Sequence, residues 1–167
     1  TTPTAAYSYL DSLEVYAPIY ASLLNPYDEW WQNQEKNYSD VQKYLEGFDL
    51  FGIKQPLTIL MIGFKQFSSE EFVLLAKYLY FLSIRYNVIC HRSPSEQEQL
   101  YNQIAVKIFD GTYKRASHIK NGDEFKKLYP KNEEFQKAFA FHKMPSRQSS
   151  KKIRFLLAEI ECYLGHR

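Results

Sequence analysis

Cys90 and His91 stand side by side, and a thiol beside an imidazole is a pairing from which an activated nucleophile can be built. Their spacing argues against it. The pattern around them is helical, and adjacent helical residues point roughly 100° apart, so they do not face one another. The four histidines, His91, His118, His142 and His166, show no ligand spacing such as H-x-x-x-H, and the two cysteines, Cys90 and Cys162, are far apart. No zinc pattern and no other metal site is therefore expected. The six glycines are scattered and none falls in G-x-x-x-x-G-K, so no phosphate loop is expected either. Glu70-Glu71, Asp123-Glu124 and Glu133-Glu134 read as acids in the first turns of helices, where the dipole favours negative charge. On this reading no catalytic residue, cofactor ligand or metal ligand is assigned.

The remaining candidates are cationic. Lys126, Lys127, Lys151, Lys152 and Arg154 lie among Tyr113, Phe125 and Tyr129, a mixture able to run beside the phosphates of a DNA backbone. The competing account is that these side chains solvate short helices or pair with Glu133, Glu134 and Glu159. Charge distribution sharpens the question, because the net charge of +2 conceals two unlike parts. Residues 1–111 hold 8 basic and 13 acidic side chains; residues 112–154 hold 12 basic and 4 acidic ones. A patch of one sign attracts phosphate, but it is also what solvated surface helices look like.

The elements that must position these groups are helical. Residues 57–64 (LTILMIGF) are the one run with strand character, and Pro56 before them suits a helix start equally well, so helix is expected there too. A first helix is expected over residues 4–24, with Tyr9, Leu13, Tyr16, Tyr20 and Leu23 on one stripe and a kink or break at Pro18. Asn25-Pro26 ends it. Trp30 and Trp31 then suit a staple onto the core, or a grip on a ligand. Three capping boxes announce later helices: Ser39 with Gln42, Ser68 with Glu71, and Ser93 with Glu96. The helix over residues 72–90 is apolar nearly all round and belongs at the centre. It carries Lys77 and Arg85, which makes it a poor membrane span. His91 and Arg92 suit its C-terminus, and Pro94 suits the first turn of the next helix.

Beyond Gly111 the apolar density falls. Residues 112–122 read as a loop, 123–129 and 132–141 as short helices, and 144–150 as a linker. Residues 150–164 read as a last helix with Ile153, Leu156, Leu157, Ile160 and Leu164 on one face. The expectation is an all-α fold, a single domain over residues 1–167 of about seven to nine helices, divisible into an acidic core (1–111) and a basic region (112–167). A hydrophobic fraction of 45% and an aromatic fraction of 17% fit a packed core of large rings. Few cysteines and no secretion signal point to a reducing cytoplasm. The sequence opens on TTPT and stops just past a strong helical pattern, so a piece of a longer protein is expected.

The stretch SIRYNVICHRSPSEQEQLYNQIAVKI (residues 83–108) resembles a segment of bacterial GmrSD-type proteins. In that family a helix end of the F-R-Y-x-V-I kind precedes a proline-started helix bearing E-x-x-Y-x-x-I-A. Gln55-Pro56-Leu57 and KKIRFLLAEIE (151–161) are similar to flanking pieces of the same region. The family joins a ParB-like nucleotide-handling nuclease domain to an HNH nuclease domain through a helical middle. No D-G-x-Q-R-like motif, E-H-x-x-P motif or H-N-H constellation occurs here. The resemblance therefore implies the non-catalytic helical middle of a restriction nuclease, with the flanking nuclease domains and the DNA backbone as candidate partners and with no cofactor of its own. The alternative is a stand-alone helical module for protein interaction. An independent enzyme finds no supporting constellation.

Overall fold

The ambiguous run at 57–64 is helical. In the computed structural model it forms α3 (Leu57–Gln66), with Leu57, Ile59 and Leu60 buried. The structure describes residues 3–34, 38–143 and 146–165, and no strand occurs among them. The other elements are α1 (Pro3–Leu24), a 3₁₀ turn (Glu29–Trp31), α2 (Ser39–Phe51), α4 (Ser69–Ser83) continued by a π-helical segment (Ile84–Ile89), α5 (Pro94–Phe109), α6 (Ala116–Asn121), α7 (Asp123–Leu128), α8 (Asn132–Ala140) and α9 (Ser146–Gly165). The all-α expectation holds.

The core forms around α4. Phe72, Leu75, Ala76, Leu79, Tyr80 and Leu82 are buried, but Glu70, Leu74, Lys77 and Phe81 line an exposed stripe, so the helix is central without being enclosed all round, and its apolar pattern reaches the surface at Leu74 and Phe81. Each buried leucine or phenylalanine among them contributes roughly 1.5–3 kcal/mol by leaving water. Helices α2, α3 and α6 pack on α4, while α5 lies against α3 and carries α7. Ser69–Ile89 is long and apolar enough to cross a membrane by composition, but half of its most apolar stretch is buried inside this fold.

Trp30 and Trp31 act as the staple. Trp31 is buried, its indole N–H donates to the Ser22 carbonyl at 2.9 Å, and both rings meet Phe64 of α3. Tyr38 and Phe72 extend this aromatic cluster edge to face.

Several expectations need correction. Helix α1 runs through Pro18 without a break. Of the expected stripe, Tyr16 and Leu23 pack against the core together with Ile19 and Ser22, whereas Leu13 and Tyr20 point outward; the side chain of Tyr9 lies outside the described ones. At Ser39 the capping box is not formed, because Tyr38 is the N-cap and Ser39 is already helical. Ser93 does occupy the N-cap before Pro94, but its side chain caps nothing and its hydroxyl sits 2.9 Å from that of Ser95. The loop at 112–122 contains α6, whose Ala116 and Ile119 are fully buried. Helix α9 already begins at Ser146, within the expected linker, whose residues 144 and 145 lie outside the description. On α9, Phe155 and Leu156 meet the core, while Leu157 and Ile160 are exposed; the side chain of Leu164 is not among those described.

Candidate functional site

The sequence IRYNVI at the end of α4 winds as a π-helix, in which Cys90 donates its N–H to Arg85 five residues back at 2.9 Å. A π-turn carries an extra residue per turn and so rotates side chains away from their α-helical directions. The turn ends at His91, the one non-glycine residue of positive φ (49°) among the described residues. Such a backbone costs free energy in an L-residue and persists where its surroundings enforce it. Tyr86 helps to enforce it. Its ring is fully buried, its hydroxyl donates to the Ser93 carbonyl at 3.0 Å, and Glu96 Oε2 lies 3.3 Å away.

Two arginines leave this turn toward the basic part of the chain. The Arg85 guanidinium sits between the rings of Phe135 and Tyr129, 4.0 and 4.7 Å from their centroids. It also donates to the Pro130 carbonyl (3.2 Å) and to Asn132 Oδ1 (3.0 Å). Arg92 grips Glu134 through two parallel hydrogen bonds, Nε to Oε1 at 2.8 Å and Nη2 to Oε2. Its Nη1 reaches the Leu128 carbonyl, and its cation lies over the Tyr86 ring. Forked pairing of this kind is directional as well as charge-assisted. The Arg92 hydrogen bond holds the Glu134 carboxyl below the ordinary range.

Behind the arginines the π-turn aims Asn87 inward. Its amide donates to Gln97 Oε1 at 2.9 Å, and Gln97 Nε2 donates to the Tyr101 hydroxyl at 3.1 Å. Ser83 Oγ lies 3.5 Å from that hydroxyl. Gln97, Tyr101 and Ser83 are fully buried, so this chain of amides and hydroxyls fixes the register of α5 against α4. Burial of the phenol pushes the Tyr101 pKa up to about 12.

On the outer side, the His91 and His142 rings stack at 5.3 Å and 22°. Burial, and then the neighbouring His91, lower the His142 pKa below the ordinary imidazole value. Burial and the Glu134 carboxylate raise the Cys90 thiol, which keeps it protonated rather than nucleophilic. The arrangement therefore binds the chain to itself. Its cations are spent on rings, carbonyls and a carboxylate.

The cationic residues singled out from the sequence fall into two groups. Lys126 and Lys127 are exposed on α7, which packs on α5 and α6, and Lys127 Nζ is 4.0 Å from Glu96. Lys151, Lys152 and Arg154 are on α9, which packs on α2. Lys151 lines a cleft of about 260 Å³ together with Glu46, Asp49, Leu24 and Phe155. The Lys152 ammonium lies over the Phe51 ring at 5.7 Å, and Arg154 is exposed. Two of the three acids named as their possible partners pair elsewhere: Glu159 with Lys43 at 2.9 Å, and Glu134 with Arg92.

One charged cluster was not foreseen. Glu124, read as a first-turn acid, is buried against Lys107 and accepts from the Tyr113 hydroxyl at 2.8 Å. Burial works to raise its carboxyl, but the hydrogen bonds from Lys107 and Tyr113 outweigh burial and hold it below the ordinary range. Lys107 and Glu124 are 17 residues apart, and no local pattern links them. Among the described residues no group of three or more His, Cys, Asp or Glu side chains is placed to hold a metal ion. No family model, curated protein or solved structure matches this chain.

Proposed function

We propose that this chain is a helical connecting and regulatory module of a cytoplasmic DNA-restriction protein of the GmrSD type. In this reading it holds two nuclease domains and passes nucleotide or DNA state between them. The observation that supports it is the double-arginine clamp. The stretch that carries the resemblance, residues 83–108, includes the π-turn whose Arg85 and Arg92 lock the basic segment onto the acidic core. A module that transmits force or state between its ends needs such a joint, because coupling travels through contiguous packed elements.

The reading frame flanking the encoded segment tests this directly. Nuclease motifs upstream of Thr1 and downstream of Arg167 are expected. A frame that starts near Thr1 and stops near Arg167 overturns the proposal. Contact with DNA phosphates is a separate arm of the same reading, assigned to Lys126, Lys127, Lys151, Lys152 and Arg154. Duplex binding should then be weak, indifferent to sequence and steeply dependent on salt. Lys151→Glu/Lys152→Glu and Lys126→Glu/Lys127→Glu variants should each lose affinity at low salt. Affinities equal to the wild type in both variants would remove the DNA arm. The second reading, a stand-alone interaction module, is favoured by an unpartnered apolar face on α1.

A further inference from the structure

Arg85 is one layer in a column of flat groups. The Phe125 and Tyr129 rings stack at 6.0 Å and 24°. The guanidinium lies between Tyr129 and Phe135, and the Phe135 and Phe139 rings stack at 5.7 Å and 26°. The column starts in the core at Phe125 and opens at the surface. Tyr129 is 40% exposed, Phe139 49%, and Phe141, the residue after α8, 82%. Among the described residues no further ring stacks on Phe139. Rings that served only to hold α8 on the π-turn would be covered, as Phe125 is.

The charge around these rings is positive. Residues 125–143 hold five lysines and two glutamates, and one of the two, Glu134, is paired with Arg92. Lys126, Lys131, Lys137 and Lys143 are exposed, and among the described residues none of them has a carboxylate within 4.0 Å. The Phe141 N–H donates to the Lys137 carbonyl, so the helical spacing continues and this ring and this ammonium share one face. Arg85 also keeps its charge. The Pro130 carbonyl and the Asn132 amide oxygen satisfy hydrogen bonds but cancel no charge, and the buried Nε–H has no acceptor. The acids left on α7 and α8 away from these pairs are Asp123 and Glu133, both exposed.

We infer that Tyr129, Phe139 and Phe141, with Lys126, Lys131 and Lys137, form a stacking platform for single-stranded nucleic acid. Every base has a π-face that can lie on an exposed ring, and the phosphates between bases answer unpaired ammonium groups. A duplex also answers the lysines, but it keeps the faces of its bases covered by one another. Open rings beside unpaired cations therefore select the single strand. This contact does not rest on the restriction-module reading, and its rings take no part in the duplex contact assigned above. DNA and RNA strands share the chemistry, and the 2′-hydroxyl is what would tell them apart.

Fluorescence anisotropy of the intact chain with oligothymidylate and oligouridylate of about 20 nucleotides, and with a dA·dT duplex of the same length, tests the inference at low and moderate salt. The wild type should bind one or both single strands more tightly than the duplex, and salt should weaken that binding. Phe139→Ala and Phe141→Ala should each weaken single-strand binding by about fivefold to a hundredfold, the range for losing one stacked base. Phe141→Trp should keep it. Lys137→Glu should lower affinity and flatten the salt dependence. Leu10→Ala, at an exposed apolar position of α1, should change nothing. Because Phe141 is 82% exposed, its truncation reads binding and not folding. A loss in either ring variant that Leu10→Ala does not share supports the platform, and the preferred strand then shows whether the sugar is read. No binding of either strand at low salt overturns the inference. So does a duplex bound as tightly as the strands, or an affinity unchanged in both ring variants.

Discussion

The Glu71 carboxylate accepts a hydrogen bond from the backbone N–H of Ala116 at 2.7 Å, across 45 residues of chain. Ala116 opens α6, so an acid in the first turn of one helix caps the start of another. Ser68 still caps α4, accepting from the Glu71 N–H at 3.3 Å. The box is thus half realised, because the side chain that would reach back to Ser68 is used in a tertiary contact.

Removing each partner should therefore damage a different helix. Glu71→Ala should lower stability by about 1–2 kcal/mol and Ser68→Ala by about 1 kcal/mol, as losses of caps. Hydrogen exchange separates them. Amides of 116–121 should lose protection in Glu71→Ala and keep it in Ser68→Ala. Unchanged protection of those amides in Glu71→Ala would show that α6 stands without this cap.

What the sequence made legible were features with a local cause. The Ser68 cap, Pro94 at a helix start and the ending at Asn25-Pro26 depend on neighbours a few residues away, and all three appear in the structure; the apolar run of 72–90 is central too, but leaves Leu74 and Phe81 exposed. What escaped has a distant cause. Six-residue α6 has no strong start signal of its own and is held by Glu71 and by burial of Ala116 and Ile119. The π-turn is fixed by where Arg85, Tyr86 and Asn87 find partners on α5 and α8, and nothing within IRYNVI specifies those partners. The face of α1 is legible only in part, with Tyr16 and Leu23 packed and Leu13 and Tyr20 exposed, because apolar residues occur on both sides and periodicity alone does not choose between them.

The joint contains two titrations that weaken it in separate pH ranges. His142 has a folded pKa below its unfolded value, so the unfolded chain binds the proton more readily. Stability should be full above about pH 6.5, fall as pH drops through the window down to the folded value, and then level. Glu134 is lowered by Arg92, so its contribution is present above the ordinary carboxylate pKa of about 4.3 and lost as pH falls through its folded value. Glu134 is more than a third exposed, so the pair is screened and worth about 1 kcal/mol at most. Thermal melts against pH should lose the mildly acidic step in His142→Phe, which keeps a ring on His91, and should lose part of the lower step in Glu134→Gln. A mildly acidic step that persists in His142→Phe would assign it to another group.

Two glycines of α2 separate the cost of backbone from the cost of packing. Gly47 is buried where α2 crosses α4, and a Cβ there would collide with the Tyr80 ring edge and touch Phe155. Gly52 ends the same helix at φ +69° with open space around it. Replacing a mid-helix glycine by alanine ordinarily gains up to about 1 kcal/mol. At Gly47 that gain is opposed by overpacking, which costs about 1–3 kcal/mol when the neighbour cannot yield. Tyr80 has little room to yield, since its ring is 2% exposed and flanked by Tyr44 at 5.3 Å and Phe48 at 6.0 Å. Gly47→Ala should therefore destabilise. In a Tyr80→Leu background, with the ring edge gone, the same change should become neutral or stabilising. Gly52→Ala should cost about 1–2 kcal/mol through its left-handed backbone, and Tyr80→Leu should leave that cost unchanged. Urea midpoints at constant slope provide the comparison. A Gly47→Ala penalty that persists in the Tyr80→Leu background would place its cause in the backbone or at Phe155 and not in the ring.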